Sequence, residues 1–173
     1  MRGEMEHPIV GLARHSILHY LTHGQLLEAP PELCAEMRGR AGVFVSLKKG
    51  GLLRGCIGTC VAVQLNIAGE IIQNAVSSAT ADPRFPPLVP EELAELEISV
   101  DVLTKPEPVA GLEALDPQRY GVVVRSGQQV GVLLPNLPQV KTAEEQMVIA
   151  RRKAGIRPDD PAEIYRFEVI RYH

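Results

Sequence analysis

Apolar and polar residues recur along this chain with two periods, and each period predicts a kind of element. Apolar residues follow helical spacing after Pro8, which suits a first helical turn, and Gly24 follows as a stop. We therefore expect a first helix over about residues 8–22. A second helix is expected over residues 65–79, where an apolar stripe lies opposite a polar face. That polar face consists of Asn66, Glu70, Gln73, Asn74 and Ser77.

Two β-hairpins are expected from pairs of strand-like runs. The first pair flanks the turn sequence at residues 48–51, Lys-Lys-Gly-Gly, and the second pair occupies residues 121–136. Residues 97–103 alternate between apolar and polar, which is typical of a half-buried strand. A final single strand is expected over residues 164–170.

The remaining stretches of the chain are expected to be two proline-containing loops and one further helix. Residues 24–40 form a loop with a short helix near 32–37, and residues 105–120 form another. Thr142 and Glu145 have the spacing of a capping box, which predicts a helix from there to about Ala154.

The order hairpin, helix, strand occurs twice, over about residues 42–103 and 121–170. The openings match as well, since Gly-Val-Phe-Val at residues 42–45 resembles Gly-Val-Val-Val at 121–124. We therefore predict an α+β domain over residues 1–173 with two duplicated β-β-α-β-type halves and helices packed on a largely antiparallel sheet. Alternating βα units are absent from the pattern, which argues against a Rossmann fold or a barrel.

Composition narrows the class of protein. The chain has 173 residues, 45% of them hydrophobic, and a net charge of −3. This charge disfavours binding nucleic acid mainly through phosphate contacts, and an aromatic content of 4% disfavours base stacking. No apolar run reaches the length of a membrane span, no signal peptide is recognisable, and three cysteines do not suit a disulfide scaffold. We expect a cytoplasmic protein without a cofactor.

The sharpest chemical motif is Leu-Arg-Gly-Cys-Ile-Gly at residues 53–58. On a strand, Arg54 and Cys56 would share a face, and the guanidinium would favour the thiolate form of the cysteine. Gly55 and Gly58 would let a ligand approach the backbone and its N–H donors. These features suit either a nucleophile or a small anion pocket. The alternative is that Cys56 is a small core residue and the glycines mark a bulge.

Two other groups of residues could carry chemistry. His15, His19 and His23 lie four residues apart on the exposed side of the first helix, but no carboxylate completes a metal site, so we predict no metal there. Asp82 and Arg84 lie in the proline-rich segment 82–87. This segment either caps a turn and plugs the core with Phe85, or is a stiff loop that positions Arg84.

These motifs resemble the AMMECR-type domain family. The resemblance rests on the hexapeptide at 53–58, on Asp-Pro-Arg-Phe-Pro-Pro-Leu at 82–88, and on similar segments at 95–100, 153–155 and 165–169. It covers about residues 8–171. The chain departs from the family at residues 134–139, where members often carry aromatic residues.

The resemblance implies a larger and a smaller lobe with a cleft. It also implies component A of a system that contains a Memo-like protein and a radical SAM protein, with suggested roles in nucleic-acid or nucleotide binding or in base modification. Carried onto this chain, its motif positions are Arg54, Gly55, Cys56 and Gly58. The polar family positions that would join them are Asn74, Asp82 and Arg84.

Three functions remain open at this point. In the first, the chain is an enzyme or enzyme component in which Cys56 and Arg54 are catalytic and the other motif residues bind. In the second, it is a non-catalytic module that binds a nucleotide, nucleic acid or peptide through the backbone of the hexapeptide. In the third, it is a scaffold for the Memo-like or radical SAM partner.

Overall fold

The structure is a computed structural model, described here for residues 5–173, so the first four residues of the predicted domain lie outside the described part. The chain forms two compact units. The first contains residues 5–102 together with Ile170–His173, and the second is Leu103–Val169.

The first unit packs two long helices on one face of a four-stranded sheet. Its helices are α1 (Pro8–His23), α2 (Ala35–Arg38) and α3 (Ile67–Thr80), and a 3-10 helix covers Pro90–Glu95. Its strands are β1 (Val43–Lys49), β2 (Leu52–Gly58), β3 (Leu96–Leu103) and β8 (Val169–Tyr172), in the order β2-β1-β3-β8. Alternate residues of β1, namely Val43, Val45 and Leu47, are fully buried against the helices.

The second unit packs one helix on a second four-stranded sheet. Its strands are β4 (Glu107–Val109), β5 (Gly121–Ser126), β6 (Gln129–Leu133) and β7 (Glu163–Phe167), in the order β4-β7-β5-β6. Its helices are α4 (Ala143–Ala154) and a 3-10 helix at Leu112–Ala114. Val122, Val124 and Met147 are buried in its core.

The α+β prediction is confirmed, with antiparallel pairing in the registered hairpins and a β-β-α-β order in each unit. The predicted final strand was wrong as a single element. Residues 163–172 form two strands, and β8 joins the first sheet whereas β7 lies in the second. The predicted loop at 105–120 contains β4 and a 3-10 helix.

The turns and caps follow from local sequence. Gly50 and Gly51 have φ values of 57° and 78°, as a tight hairpin turn requires, because glycine adopts positive φ without a steric penalty. The side chain of Asn66 accepts the N–H of Gly69 and caps α3, so that helix begins two residues later than predicted. The predicted capping box of α4 is present, with Thr142 accepting the N–H of Glu145.

The polar face of α3 includes buried side chains. Glu70 and Asn74 are 1% and 3% exposed. The Asn74 side chain donates to the carbonyl of Val43 at 2.9 Å, and the Ser78 hydroxyl donates to the carbonyl of Val45 at 2.8 Å. This polar row joins the helix to the first hairpin, since a buried polar group is retained when it is hydrogen-bonded.

A glycine marks the closest contact of helix and hairpin in each unit. A Cβ atom on Gly55 would lie 2.2 Å from the carbonyl oxygen of Ser78 in α3, and one on Gly131 would lie 2.2 Å from that of Ala150 in α4. Gly55 and Gly131 therefore occupy equivalent positions. In each helix, the residue four positions before this contact has a side-chain amide that donates to a strand carbonyl. Asn74 donates to the carbonyl of Val43 in β1, and Gln146 donates to that of Tyr120, just before β5.

This equivalence corrects the match of the two openings. Asn74 contacts the carbonyl of Val43 and Gln146 contacts that of Tyr120, so Val43 corresponds to Tyr120 rather than to Val122. The two openings are offset by two residues. A shift of two keeps every side chain on the same face of the sheet, so sequence alternation alone does not detect it.

Candidate functional site

Cys56 lies on β2, the edge strand of the first sheet, and its thiol is half-buried. Its register partner on β1 is Ser46, and the Cys56 Sγ and Ser46 Oγ atoms are 3.2 Å apart. Ser46 in turn pairs with Ser99 on β3. Because side chains alternate along a strand, these three residues form a row on the sheet face opposite the buried Val45 and Leu47. We call Cys56, Ser46 and Ser99 the thiol–hydroxyl row.

Asp82 and Arg84 hold the backbone of Cys56 from both sides of the residue. The Cys56 N–H donates to Asp82 Oδ2 at 3.0 Å, and Arg84 Nη2 donates to the Cys56 carbonyl at 3.3 Å. On an edge strand, the N–H and C=O groups that point away from the sheet have no partner strand, so these two side chains take the place of one. The structure therefore brings together Cys56, Asp82 and Arg84, three of the residues predicted for the site. Phe85 is only half-buried and does not plug the core as its structural alternative required.

Asp82 also orients the guanidinium of Arg84. Arg84 donates from Nε to Oδ1 at 3.0 Å and from Nη2 to Oδ2 at 2.7 Å. These hydrogen bonds hold the pKa of Asp82 far below its usual range and raise the pKa of Arg84. The Asp82 side chain is 2% exposed and that of Arg84 is 56% exposed, so a buried carboxylate fixes a guanidinium that faces solvent.

Asp101 and Arg171 repeat this arrangement in the same unit. Arg171 donates from Nε to Asp101 Oδ1 at 2.7 Å and from Nη2 to Oδ2 at 2.8 Å. The Arg171 side chain is 51% exposed and that of Asp101 is 3% exposed. Hydrogen bonding to Asp101 raises the pKa of Arg171. The Cys56 sulfur adds a smaller Coulombic contribution to the raised pKa of both Arg84 and Arg171. Two guanidinium groups are therefore oriented by buried carboxylates in this unit, and that of Arg84 lies against the Cys56 backbone.

Asp101 and Arg171 are site residues that no sequence motif indicates. Asp101 is a polar residue of the alternating stretch 97–103, and Arg171 lies 70 residues further along the chain. No local motif joins them, because the contact depends on β8 returning to the first sheet beside β3.

Arg54 pairs with a carboxylate in the structure. It donates to both carboxylate oxygens of Glu92 at 3.0 Å and to the Pro86 carbonyl at 3.0 Å. A bulge lies at this point of the strand, because Gly55 pairs with Leu47 and Leu53 pairs with Lys48. The alternation that predicted a common face for Arg54 and Cys56 is therefore interrupted between them. The catalytic role of Arg54 stays a prediction.

The two glycines of the hexapeptide are in close contact with other parts of the chain. Gly55 leaves space for the α3 backbone, and a Cβ atom on Gly58 would lie 2.2 Å from Cγ of the Phe44 ring. The N–H of Cys56 donates to Asp82, and the N–H of Ile57 donates to the Ser78 hydroxyl at 2.8 Å. These two donors are thus bonded within the chain. The predicted binding roles of Gly55 and Gly58 stay predictions.

Asn74 is not part of the thiol–hydroxyl row. Its side chain lies in the layer between α3 and the hairpin, where it contacts Val43 and the Thr59 hydroxyl at 3.2 Å. Cys56 projects from the other face of the sheet. The structure therefore separates Asn74 from the thiol, and its binding role stays a prediction.

The histidine row has a partial cluster. The rings of His19 and His23 have centroids 4.5 Å apart, and His23 Nδ1 contacts the His19 carbonyl at 3.1 Å. Among residues 5–173, no group of three or more His, Cys, Asp or Glu residues is placed to hold a metal ion. In the same described part, no helix has both the length and the apolar character to cross a membrane.

Comparison with known families identifies the chain. A family model described as AMMECR1 matches residues 10–172. The chain belongs to the AMMECR1 family.

Among AMMECR1 relatives, a protein from Thermotoga maritima is 48% identical over 170 residues, which are 96% of this chain and 98% of the relative. A Clostridium acetobutylicum protein is 50% identical over 167 residues, 95% of this chain, but this chain spans only 36% of its length. The crystal structure of an uncharacterized protein from Pyrococcus horikoshii is similar with a TM-score of 0.84 and 34% identity, covering 94% of this chain and 88% of that one.

Proposed function

We propose that this AMMECR1-family chain is an enzyme component whose reactive group is the Cys56 thiol and whose substrate is a small anionic electrophile. The observation that carries the proposal is the pair of oriented arginines. Buried Asp82 and Asp101 each orient a half-exposed guanidinium, and the Arg84 guanidinium donates to the Cys56 carbonyl. Guanidinium groups fixed in this way attract an anionic substrate, because their N–H forks match carboxylate and phosphate oxygens.

The chemistry is nucleophilic substitution at an electrophilic carbon. The thiol proton passes to solvent, and the thiolate Sγ forms a bond to the carbon. The electron pair of the broken bond leaves with the leaving group. The Ser46 hydroxyl, 3.2 Å from the sulfur, is within reach to donate a hydrogen bond to the thiolate. Among residues 5–173, no imidazole is hydrogen-bonded to the Cys56 sulfur, so the arrangement differs from a Cys–His dyad.

The non-catalytic alternative is less well supported. It needs the backbone of the hexapeptide as a cradle of N–H donors. The Cys56 and Ile57 donors contact Asp82 and Ser78 instead. A nucleotide or RNA ligand would then have to bind through side chains, and a net charge of −3 disfavours binding through a phosphate backbone.

Alkylation rates test the role of the thiol. Cys56 labelling by anionic iodoacetate and by neutral iodoacetamide is followed at pH 7 by mass spectrometry, with free cysteine as reference. We expect Cys56 to react faster than free cysteine and to favour iodoacetate more strongly. Arg84→Gln should reduce that preference, whereas Arg119→Gln should not, because Arg119 is an exposed arginine of the second unit paired with Glu168. Labelling no faster than free cysteine, with no preference, contradicts the proposal.

The same experiment separates Arg54 from Arg84. Because Arg54 is engaged by Glu92 and Pro86, we expect Arg54→Gln to change the iodoacetate preference less than Arg84→Gln does. A larger effect from Arg54→Gln would restore Arg54 as the residue that acts on the thiol.

We further propose that the chain acts with a Memo-like protein and a radical SAM protein in the modification of a nucleotide or base. The Clostridium acetobutylicum relative supports a partner, because the AMMECR1-like region is 36% of its length and the rest of that protein is covalently joined to it. Co-expression of the tagged chain with a Memo-like protein tests this. Failure of the two to co-elute at physiological salt would contradict a stable complex.

A further inference from the structure

A cavity of about 460 Å³ lies in the first unit and reaches the end of the thiol–hydroxyl row. Its lining includes Lys48 of β1, Glu97 and Ser99 of β3, and Arg171 of β8. This volume is within the range of pockets that hold small molecules. Ser99 belongs both to the cavity lining and to the row that ends at Cys56.

Arg171 lines this cavity, and within residues 5–173 its side-chain hydrogen bonds engage only the Nε–Nη2 edge of the guanidinium. Asp101 accepts hydrogen bonds from Nε and Nη2. The Nη1–Nη2 edge of a guanidinium carries further N–H groups in a fork that matches the two oxygens of a carboxylate or phosphate. Asp101 is buried and fixes the side chain, so little rotamer entropy is lost when an anion binds.

The other charged groups of the lining differ in whether they are already paired. Arg14 donates to Glu6 at 2.9 Å and to the carbonyls of Leu93 and Leu96, so its charge serves the fold. Within residues 5–173, no carboxylate lies within ion-pair distance of the Lys48 ammonium. Lys48 and its cross-strand neighbour Glu97 are therefore available to a ligand, one to an oxyanion and the other to a hydroxyl or ammonium donor.

We infer that this cavity binds the carboxylate or phosphate end of a small ligand through Arg171, Lys48 and the Ser99 hydroxyl. Strands lie about 4.8 Å apart, so Ser99 and Cys56, two strands from each other, are separated by about 10 Å. A ligand of that length would hold its anionic group in the cavity and present its electrophilic carbon to the thiol. The second half of this inference rests on the proposed function, whereas anion binding in the cavity does not.

Titration of ¹⁵N-labelled protein with inorganic phosphate, and separately with acetate, tests the site at constant ionic strength. We expect saturable amide shifts centred on Ser99 and Lys48, with a Kd of about 1 mM or tighter for the preferred anion. The stronger of the two probes identifies the ligand end as phosphate or carboxylate. Shifts that grow linearly without saturation, or that centre elsewhere, would overturn the assignment.

Variants of the lining residues locate the effect. Loss of the Arg171 fork should raise the Kd roughly tenfold or more, and Lys48→Gln should raise it roughly threefold. Arg171→Gln leaves buried Asp101 without its partner, so the double variant Asp101→Asn/Arg171→Gln is measured beside it. Lys141→Gln, an exposed lysine of the second unit, is the matched control and should leave the Kd unchanged. An unchanged Kd in both Lys48→Gln and the double variant would exclude the cavity.

The two proposals fail separately. Cys56→Ser should retain the phosphate or acetate shifts, because the thiol does not line the cavity. Anion binding with no enhanced Cys56 alkylation would leave the site and remove the thiol chemistry. Enhanced Cys56 alkylation with no saturable anion shifts would support the thiol chemistry and exclude the anion site.

Discussion

The backbone N–H of Cys56 donates a hydrogen bond to Oδ2 of Asp82 at 3.0 Å, across 26 residues of chain. The same carboxylate orients Arg84, whose guanidinium returns to the Cys56 carbonyl. One buried acid thus fixes both the position of the thiol-bearing residue and the charge beside it. The candidate chemistry and the stability of the strand edge therefore depend on the same side chain.

Asp82→Asn should destabilise the protein by roughly 2 kcal/mol at pH 7, because a buried carboxylate loses its charge-assisted hydrogen bonds. Arg84 holds the pKa of Asp82 below its unfolded value of about 3.9, so this stabilisation is present above pH 4 and is lost as the pH falls towards the folded pKa. Urea unfolding at pH 7 and pH 3 measures it. The gap between wild type and variant should narrow at pH 3. Exposed Asp159→Asn is the control, and a gap that widens at pH 3 would contradict the assignment.

Gly55→Ala should destabilise the first unit by roughly 1–3 kcal/mol, because its Cβ would meet the backbone oxygen of Ser78 at 2.2 Å and backbone does not yield cheaply. Gly11→Ala is the matched substitution. Gly11 lies inside α1, and a Cβ there would have its nearest neighbour, Glu6 Oε2, at 3.8 Å. It should stabilise the protein by roughly 0.5–1 kcal/mol through helix propensity. Thermal unfolding compares the two, and equal effects would refute the close-contact argument.

Glu70→Gln should loosen the segment between β2 and α3. The buried Glu70 carboxylate accepts hydrogen bonds from the Thr59 hydroxyl and from the N–H groups of Val63 and Gln64. An amide offers a single, uncharged acceptor oxygen, so it cannot accept from both the Thr59 hydroxyl and the two backbone N–H groups as the carboxylate does, and we expect a loss of roughly 2 kcal/mol.

Hydrogen exchange measures this loss locally. The amides of Val63 and Gln64 should lose protection in Glu70→Gln and keep it in Glu91→Gln, which alters an exposed carboxylate. Protection that survives in Glu70→Gln would mean that Glu70 does not hold the segment.

Cys34 should be a slow thiol at pH 8. Burial raises the pKa of Cys34, and the side-chain hydrogen bond and charge of Glu36 raise it further. Glu36→Gln should therefore lower the pKa of Cys34 and speed its alkylation by iodoacetamide. Glu32→Gln is the control, since Glu32 lines the same surface depression without acting on the thiol pKa. Equal rates in wild type and Glu36→Gln would show that Glu36 has no such effect.

Elements with local signals could be predicted from the sequence. The glycine turn at residues 50–51 and the capping box at Thr142 each depend on neighbouring residues alone, and both are present. The polar face of α3 could not be assigned in this way. Side chains that donate to strand carbonyls have the same four-residue spacing as side chains that face water, so periodicity does not separate Asn74 in a buried layer from Asn74 in solvent.

The residues of the candidate site likewise fall into those with a local sequence signal and those brought together only by the fold. Cys56, Asp82 and Arg84 could be named from two short motifs, and the structure places them in contact. Asp101 and Arg171 carry no motif, because their contact is made by a strand that leaves the second sheet and joins the first. The bulge at Arg54 was one of the alternatives that the glycines of the hexapeptide offered, but the sequence does not fix which residue of the strand is the extra one.

The paired glycines have one more consequence. The residue that follows Gly55 is Cys56, and the residue that follows Gly131 is Val132, which pairs with Val123 as Cys56 pairs with Ser46. The second hairpin thus has the same glycine contact with its helix, but it carries the aliphatic side chain of Val132 where the first hairpin carries the Cys56 thiol. A Val132→Cys variant would place a second thiol at the equivalent position of the second hairpin. Its alkylation rate, compared with that of Cys56, would separate the effect of the hairpin geometry from the effect of Arg84 and Arg171.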